Sequence, residues 1–386
     1  MTERLYYHDS YLRDFQARVI DTADEGRRIY LDRTAFYPAS GGQPFDLGSL
    51  NDVNVVEVVD EGERVAHLLE RPVQAGEVRG LIDWQRRYDH MQQHSGQHLL
   101  SAVFIEVYGM DTISFHLGQD SATIDLTVAA IEPAQLRAVE LRANEVVCEN
   151  RPIAVSYHDS QDDLGLRKES GREGVLRVVS IDRLDRIACG GTHLRSTGEI
   201  GPVLLRKLEK VRNTTRVEFL CGLRAVRRTR ADFDALTRVA QMFSSSLDEA
   251  PDMVSAQLEA AREGEKVRRK LASDLAVYQG KELWDITAPD GQGIRRLLRR
   301  QPAGTFDDLR AIAQSFTARS KSVFVGTIDD PPSVLVAVSP DAGIDAGKVL
   351  KAALTEAGGR GGGSPRIAQG SVPTRDKLDA VVAKFA

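Results

Sequence analysis

The chain has 386 residues and a net charge of −5, with 42% hydrophobic and 28% charged residues. This length suits two or three domains that each bury a core, and the composition argues against disorder. The N-terminus lacks an apolar signal segment and no apolar run reaches membrane-spanning length, which argues against secretion and membrane insertion. The three cysteines, Cys148, Cys189 and Cys221, suggest no disulfide framework, so we expect a protein of the reducing cytoplasm.

The N-terminal part, residues 1–85, alternates short apolar stretches with turn sequences such as PASGGQPFDLG. This pattern predicts a β-rich subdomain. From Gln85 the apolar residues recur at helical spacing as far as Gly109, and a second helical pattern runs from Pro133 to about Glu149. Strand-like runs follow both helices, so residues 86–222 are predicted to form an α+β core.

The C-terminal part is predicted to comprise a helical arm, residues 223–283, and a small α/β domain, residues 284–386. The arm is charged and alanine-rich, and its helical pattern breaks near SSSLDEAPD. In the last domain the glycine-dense stretch AGGRGGGSPRIAQG has the composition of a flexible linker. Pro365, Ile367 and Ala368 interrupt that composition, so a linker and an ordered segment both remain open. The chain as a whole is predicted to be α+β.

Two pairs of side chains have the spacing of metal ligands. His94 and His98 stand four residues apart on the first predicted helix, so both imidazoles project from one face. Cys189 and His193 have the same spacing in CGGTH, where the glycines favour a loop. Together they offer three nitrogen donors and one sulfur, a set that suits zinc. His90 also precedes His94 by four residues, and Cys189 could be an ordinary buried thiol, so spacing alone does not settle the site.

A basic stretch between Leu204 and Arg230 stands out in this acidic protein. It could neutralise phosphates of a nucleic acid, or it could be a solvated helix face. It contains nine basic residues against two acidic ones, namely Arg206, Lys207, Lys210, Arg212, Arg216, Arg224, Arg227, Arg228 and Arg230 against Glu209 and Glu218.

Four segments resemble the editing and C-terminal domains of alanyl-tRNA synthetases, in the order found in that family. HSGQHLLSAVF resembles the histidine helix of the editing domain, CGGTHLRSTGEIG its second metal segment and LDRTAFYPASGGQPFDLG its glycine-rich segment. AGGRGGGSPRIAQG resembles the C-terminal domain named for its DHH-phosphoesterase associates. Because the sequence begins at Met1 directly in the editing-like region, we expect no aminoacylation domain upstream. It therefore resembles the free-standing, long-form alanyl-tRNA editing proteins.

The resemblance implies that His94, His98, Cys189 and His193 bind one Zn²⁺ ion per chain, and it leaves His90 outside the ligand set. It further implies an ATP-independent hydrolase that deacylates tRNA(Ala) wrongly charged with serine or glycine. The expected partner is the acceptor end of tRNA(Ala). In the resembling synthetases the C-terminal domain contacts tRNA or supports self-association, so a homodimer through this domain is also an expectation.

Further candidates lie in the glycine-rich segment. The amides of Gly41, Gly42 and Gln43 could donate hydrogen bonds to a developing oxyanion, although two glycines are also typical of a tight hairpin turn. The hydroxyl of Thr34 could pair with a serine hydroxyl. Such pairing would spare correctly charged alanyl-tRNA, because alanine would leave a polar group of the site unpaired.

For tRNA binding, the first candidates are Arg212 and Arg216 in VRNTTRVEFLCG, and Arg295 and Arg296 in RRLLRR. Two other functions remain open: a zinc-containing deacylase for another aminoacyl-tRNA or ester, and a non-catalytic tRNA-binding protein with structural zinc. Whether zinc activates water or anchors the substrate also remains open.

Overall fold

The computed structural model describes residues 1–159, 164–169, 171 and 174–385. The chain divides into two compact units, Met1–Arg238 and Val239–Ala386. Among the described residues, no helix has the length and apolar character needed to cross a membrane. The α+β prediction is confirmed, whereas the finer subdivision at residues 85, 222 and 283 stays a prediction.

The first unit begins with a closed β-barrel, where the alternating pattern of residues 1–85 predicts β-rich structure without specifying a barrel. Its strands run in the order β2-β3-β7-β6-β5-β8 around apolar side chains that include Leu31 and Phe36, and β1 pairs with β4 in parallel. Closure leaves the barrel strands without an open edge. The strands are β1 (Glu3–Arg4), β2 (Asp14–Ala23), β3 (Arg28–Leu31), β4 (Arg33–Thr34), β5 (Gly48–Leu50), β6 (Val53–Glu61), β7 (Arg64–Leu69) and β8 (Glu77–Ile82).

Two helices follow the barrel at the predicted positions. Helix α1 (Trp84–Tyr108) begins after Asp83, whose carboxylate accepts a hydrogen bond from the Arg86 amide, and ends at Gly109 in the left-handed conformation. Helix α2 (Pro133–Glu149) has proline in its first turn. Residues from His90 to Phe104 of α1 are buried without interruption, so this helix is enclosed by the rest of the unit.

Two sheets pack against these helices. One has the strand order β14-β15-β10-β9 and the other β11-β12-β13. Gly96 of α1 lies against β15, where an added Cβ would come within 2.2 Å of Cys221 Sγ. Glycine therefore permits the close approach of α1 to this sheet. The strands are β9 (Thr112–Leu117), β10 (Ala122–Leu126), β11 (Ile153–His158), β12 (Leu176–Ile181), β13 (Asp185–Ala188), β14 (Val203–Val211) and β15 (Thr214–Cys221).

The predicted arm consists of two helices, α3 (Gly222–Met242) and α4 (Ala250–Ile286), separated at the expected break. The last residues of α3 and all of α4 belong to the second unit. There a five-stranded sheet, ordered β16-β17-β18-β20-β19, packs with the remaining helices. These elements are β16 (Arg295–Ala303), α5 (Phe306–Thr317), β17 (Ser322–Asp330), β18 (Ser333–Val338), α6 (Ala346–Glu356), β19 (Arg360–Gly363), β20 (Ile367–Ser371) and α7 (Arg375–Val382).

The glycine-dense stretch is an ordered antiparallel pair, β19 and β20, so the linker interpretation is wrong. Its glycines make room for α6 and for the paired backbone. A Cβ on Gly361 or Gly370 would lie 2.6 or 2.2 Å from Leu354 Cδ1. Glycine here serves close packing instead of flexibility.

A buried ion pair fastens α1 to the barrel. Both side chains of the Arg87–Asp46 pair are fully buried. Arg87 Nε donates to Asp46 Oδ1 at 2.9 Å, and the guanidinium also donates to the carbonyls of Ser10 (2.9 Å) and Ala35 (2.6 Å). Asp46 Oδ2 accepts from the Tyr37 amide at 2.6 Å. The segment 37–46, which carries the GGQ turn, is thereby held against the first turns of α1.

Replacing Asp46 by alanine should lower the free energy of unfolding of the first unit by about 3–5 kcal/mol, because the Arg87 charge would stay buried without its partner. Urea titration measures this change. Fluorescence of Trp84 in a Trp284→Phe background reports on the first unit alone, since the chain has two tryptophans. Asp14→Ala, which removes an exposed ion pair, is the control and should change little. A loss below about 1 kcal/mol in Asp46→Ala would contradict the assignment.

Candidate metal centre

The two predicted ligand pairs meet in one cluster. His94 and His98 project from the middle of α1, and Cys189 and His193 lie in the loop after β13. One ligand atom from each of the four residues lies within 4.8 Å of the others. Cys189 Sγ is 3.5 Å from His94 Nε2 and 3.3 Å from His193 Nε2. The four side chains could hold a metal ion, and His90 lies outside the cluster, which selects HSGQH over HMQQH.

Neighbouring groups orient two of the imidazoles through Nδ1. Gln43 Oε1 lies 2.8 Å from His94 Nδ1, and Ser95 Oγ lies 3.2 Å from His193 Nδ1. Asp185 Oδ2 is 3.8 Å from His98 Nδ1, which is too long for a hydrogen bond. This arrangement directs Nε2 of His94 and His193 toward the cluster, as partners of metal-ligating histidines do.

The three histidines are held in the form that binds metal. Burial lowers the pKa of His94 to about 3 and the pKa values of His98 and His193 well below 6.5. Neighbouring histidines lower the latter two pKa values further. At neutral pH all three rings are therefore neutral imidazoles, whose lone pairs can bind a divalent ion. Three such rings and a cysteine sulfur fit a metal of the borderline-soft class.

Glycine in the CGGTH loop permits its approach to α1. An added Cβ on Gly191 would lie 2.2 Å from His94 Cε1 and 3.1 Å from Gln43 Oε1. The Gly191 amide donates to Cys189 Sγ at 3.4 Å, and Arg177 donates to the Cys189 carbonyl at 2.7 Å. The loop conformation is thus fixed around the thiol.

The GGQ segment forms a tight turn that places the Gln43 side chain between His94 of α1 and Thr192 of the CGGTH loop. Gly41 and Gly42 have φ of 56° and 85°, and Ser40 and Gln43 pair across them, as in a two-residue type I′ hairpin. The Gln43 side chain donates to Thr192 Oγ1 at 2.7 Å and accepts from the Thr192 amide at 3.2 Å. The turn explains both glycines. Oxyanion stabilisation by the amides of this segment stays a prediction.

Thr34 lies in the barrel, fully buried on β4. Its hydroxyl is 2.8 Å from His67 Nε2 and accepts from the Phe36 amide at 3.1 Å. Among the residues that the structure describes, no hydrogen bond joins Thr34 to the metal cluster. Its contact with a serine substrate stays a prediction.

The predicted tRNA-binding arginines of the first unit differ in their surroundings. Arg212 is exposed in the turn between β14 and β15. Arg216 on β15 makes a two-pronged ion pair with Asp125, with N–O distances of 2.7 and 2.9 Å. Arg212 is thus accessible to a ligand, whereas Arg216 is already paired.

The predicted arginines of the second unit lie on β16 and contact protein groups. Arg295 lies 4.3 Å above the Trp284 ring. Arg296 donates to Asp290 at 3.0 Å and to the Phe385 carbonyl at 2.9 Å. Their contacts with tRNA stay predictions.

Four residues beside the metal ligands were not predicted from the sequence, namely Ser95, Phe115, Asp185 and Thr192. Ser95 and Thr192 lie inside the two ligand motifs, HSGQH and CGGTH, and their position was a usable signal. Asp185 and Phe115 carried no such signal, because only the fold brings them to the histidines. Phe115 stacks on His94 with the ring centroids 5.5 Å apart.

A cavity of about 590 Å³ lies beside the CGGTH loop. Its wall combines three tyrosines with the charged residues Glu3, Arg4, Asp60 and Glu63, and the loop contributes Gly190, the neighbour of Cys189. Its aromatic and loop lining includes Tyr6, Tyr7, His8, Tyr37, Ser40 and Gly190.

Comparison with known proteins gives two domain matches. Residues 176–218 match the "Threonyl and Alanyl tRNA synthetase second additional domain", and residues 295–386 match the DHHA1 domain. The first contains Cys189 and His193, and the second contains the β19–β20 hairpin. Both matches fall where the sequence motifs resemble the synthetase domains.

Three relatives show how far the similarity extends. The alanyl-tRNA editing protein AlaX-L of Pyrococcus horikoshii is 28% identical over 97% of this chain and 96% of its own length. The alanyl-tRNA editing protein Aarsd1 of Mus musculus is 28% identical, over 84% of each chain. The alanine–tRNA ligase of Pyrococcus furiosus is 31% identical over 99% of this chain, but the chain spans only 43% of that enzyme.

The depressed histidine pKa values predict how metal-free protein responds to acid. Unfolded histidines bind protons near pH 6.5, whereas folded His94 binds one only near pH 3. The unfolded state therefore binds more protons below pH 6.5, and the free energy of unfolding should fall as the pH drops, by about 1.4 kcal/mol per pH unit for each such histidine.

Urea titrations between pH 7 and pH 5, in the presence of a chelator, measure this slope. His94→Gln should reduce the average slope over this range by about 1 kcal/mol per pH unit, because one depressed group is removed and an unfolded histidine is only partly protonated near pH 6.5. A slope that is the same in both proteins would contradict the assignment of a buried, neutral His94.

Proposed function

We propose that this chain, which resembles the alanyl-tRNA editing proteins along nearly its whole length, hydrolyses tRNA(Ala) wrongly charged with serine, and in addition the glycine-charged form. It would thereby preserve the fidelity of translation. The observation that carries the proposal is the intact cluster of His94, His98, Cys189 and His193, whose ligand atoms lie within 4.8 Å of one another. The cluster belongs to a chain that spans 96% of a relative named as an editing protein.

The proposed metal is one Zn²⁺ ion per chain, because three imidazole nitrogens and one thiolate sulfur are zinc ligands of ordinary type. When bound, zinc supplies a positive charge that can polarise an ester carbonyl or anchor an amino or hydroxyl group of the substrate. The protein holds the donors for this charge in place. Gln43 fixes the His94 ring through Nδ1, Ser95 fixes His193, and Phe115 stacks on His94.

The aminoacyl end of the substrate would enter the cavity beside Gly190, next to Cys189. Its wall offers tyrosine rings for apolar contact, and the Tyr37 hydroxyl donates to the Ser40 carbonyl at 3.0 Å, which fixes that part of the wall. The amides of Gly41 and Gly42 lie in the same hairpin and are the proposed donors to the developing oxyanion.

Rejection of alanine needs a polar group that pairs with the serine hydroxyl. Thr34 is the proposed group, and its hydroxyl would have to exchange its present bond with His67 for one with substrate. A site of this type discriminates by about 10⁴ to 10⁵, because a substrate without the hydroxyl leaves the site's own group unpaired. Glycine also lacks the hydroxyl, so this pairing does not account for it, and its admission would have to rest on its small size.

The proposed partner is the acceptor end of tRNA(Ala). Arg212, exposed in its turn, is the clearest candidate for a phosphate contact, with Arg216 beside it on β15. Arg295 and Arg296 would extend the contact in the second unit. We also propose that this unit supports a homodimer and that the protein acts in the cytoplasm, where mischarged tRNA is used.

One structural observation favours a different function. Four protein ligands are typical of closed, structural zinc sites, whereas catalytic sites keep a position for substrate or water. A non-catalytic tRNA-binding protein with structural zinc is therefore the second candidate. A zinc-containing deacylase for another aminoacyl-tRNA or ester is a variant of the first.

The leading function predicts that purified protein with zinc deacylates Ser-tRNA(Ala), and Gly-tRNA(Ala) to a measurable extent, while sparing Ala-tRNA(Ala). Cys189→Ala should lose most of this activity, because one metal ligand is removed. The assay measures release of the labelled amino acid from each charged tRNA.

Cys148→Ala is the matched control, since Cys148 is exposed and lies away from the cluster on α2. It should retain full activity. Failure to deacylate either mischarged tRNA with zinc present would rule out the leading function. Full activity in Cys189→Ala would refute the metal assignment and leave the substrate assignment standing.

A further inference from the structure

A second cavity, of about 730 Å³, lies between the first turns of α1 and the first turns of α3. Trp84 and Tyr88 of α1 form an aromatic part of its wall, and His90 also lines it. His90 lies four residues, about 6 Å along the helix axis, before the metal ligand His94. The cavity is thus a neighbour of the metal centre and shares none of its four ligands.

Two arginines of this cavity make no ion pair within the described part of the chain. Arg86 uses Nε to donate to the Phe45 carbonyl at 3.1 Å, and its two Nη groups make no hydrogen bond among the described residues. Arg227 of α3 is exposed, and no ion pair within the described part of the chain includes it. A third cation, Arg224, is already paired with Asp89. Two carboxylates also line the cavity: Asp89, and Asp83, which caps the amino end of α1 by accepting from the Arg86 amide. The lining therefore has three arginines against two acids, and this excess of one positive charge favours an anionic group such as phosphate.

His90 is a buried polar side chain without a partner in the protein. It is 3% exposed, and its Nδ1 is a buried atom without a hydrogen-bond partner among the residues that the structure describes. Burial, with Arg86 and Arg224 nearby, lowers the pKa of His90 to about 3, so the ring is neutral at pH 7. A neutral imidazole offers one donor and one acceptor. Buried polar groups of this kind are normally satisfied, which indicates a ligand with polar edges.

We infer that this cavity binds one nucleotide of a single-stranded 3′ end, upstream of the terminal nucleoside whose ester lies at the metal centre. Arg86 and Arg227 contact its phosphate, and Tyr88 and Trp84 contact its base. His90 forms a hydrogen bond with the edge of the base. Cations that follow the backbone, together with aromatic rings for the bases, are the usual combination in proteins that bind single strands. The inference rests on the proposed function, because the ester-bearing strand is what brings a nucleotide to this place.

The test compares two substrates that differ in the upstream nucleotides. Ser-tRNA(Ala) carries them, and 3′-O-seryl-adenosine has only the terminal nucleoside. Arg227→Ala and His90→Ala should each lower kcat/KM for Ser-tRNA(Ala) by at least about five-fold more than for the adenosine ester, the lower limit for losing one base contact. A plot of log(kcat/KM) for Ser-tRNA(Ala) against log salt concentration should also become less steep in Arg227→Ala. The slope should change by about 0.7, the contribution of one phosphate contact in a single strand.

Arg238→Ala is the control, because Arg238 is an exposed arginine three turns further along α3 and does not line the cavity. It should leave both the substrate ratio and the salt slope as in the wild type. Arg227 is exposed, so its variant keeps the test valid even where His90→Ala is unstable. Equal losses on both substrates, or no loss on either, would overturn the inference.

A binding measurement separates this inference from the proposed reaction. In a Trp284→Phe background, an RNA oligonucleotide of sequence ACCA that carries no amino acid should quench the fluorescence of Trp84. Arg227→Ala should weaken binding of this oligonucleotide at least about five-fold, whereas Arg238→Ala should leave it unchanged. Wild-type protein that binds the oligonucleotide in this way but deacylates no substrate would contradict the proposed function alone. Absence of quenching, or equal binding by all variants, would overturn the nucleotide subsite.

Discussion

The hydrogen bonds of one buried amide hold the metal centre together. Gln43 comes from the barrel, His94 from α1 and Thr192 from the CGGTH loop, and the Gln43 side chain contacts both of the others at 2.7–2.8 Å. Three segments that are distant in sequence thus meet at the side chain of Gln43, a residue that is only 1% exposed. Gly191 and Gly42 make the meeting possible, because a Cβ on either would collide with a neighbour at less than 3 Å.

The rest of the first unit supports this contact. The buried Arg87–Asp46 pair holds the segment containing Gln43 against α1, and Gly96 lets α1 approach β15. Enclosing α1 depresses the pKa values of its histidines and so keeps them neutral. Because burial disfavours the charged form of histidine, it keeps these rings neutral, and neutral rings can donate a nitrogen lone pair to a metal. The second cavity is lined in part by α1, whereas the first is lined by the N-terminal segment, the segment before the GGQ turn and Gly190 of the CGGTH loop.

Much of this arrangement could be predicted from the sequence, for identifiable reasons. Helices α1 and α2 could be predicted because their apolar residues recur at helical spacing. Gly109 marks the end of α1, and Pro133 marks the beginning of α2. The ligand pairs are visible because each has both members on one short segment. Gln43 was noted only for its place in a glycine turn, and its bond to His94 depends on the packing of the barrel against α1. The β19–β20 hairpin was ambiguous because its glycines serve tertiary packing, which composition does not reveal.

The central claim is that three imidazoles and one thiolate of this chain bind zinc together. X-ray absorption at the zinc edge of the zinc-loaded protein measures the ligand set directly. We expect about three nitrogen neighbours at about 2.0–2.1 Å and one sulfur at about 2.3 Å, with the sulfur lost in Cys189→Ala. A zinc spectrum without a sulfur neighbour in the wild type, or an unchanged sulfur signal in Cys189→Ala, would contradict it.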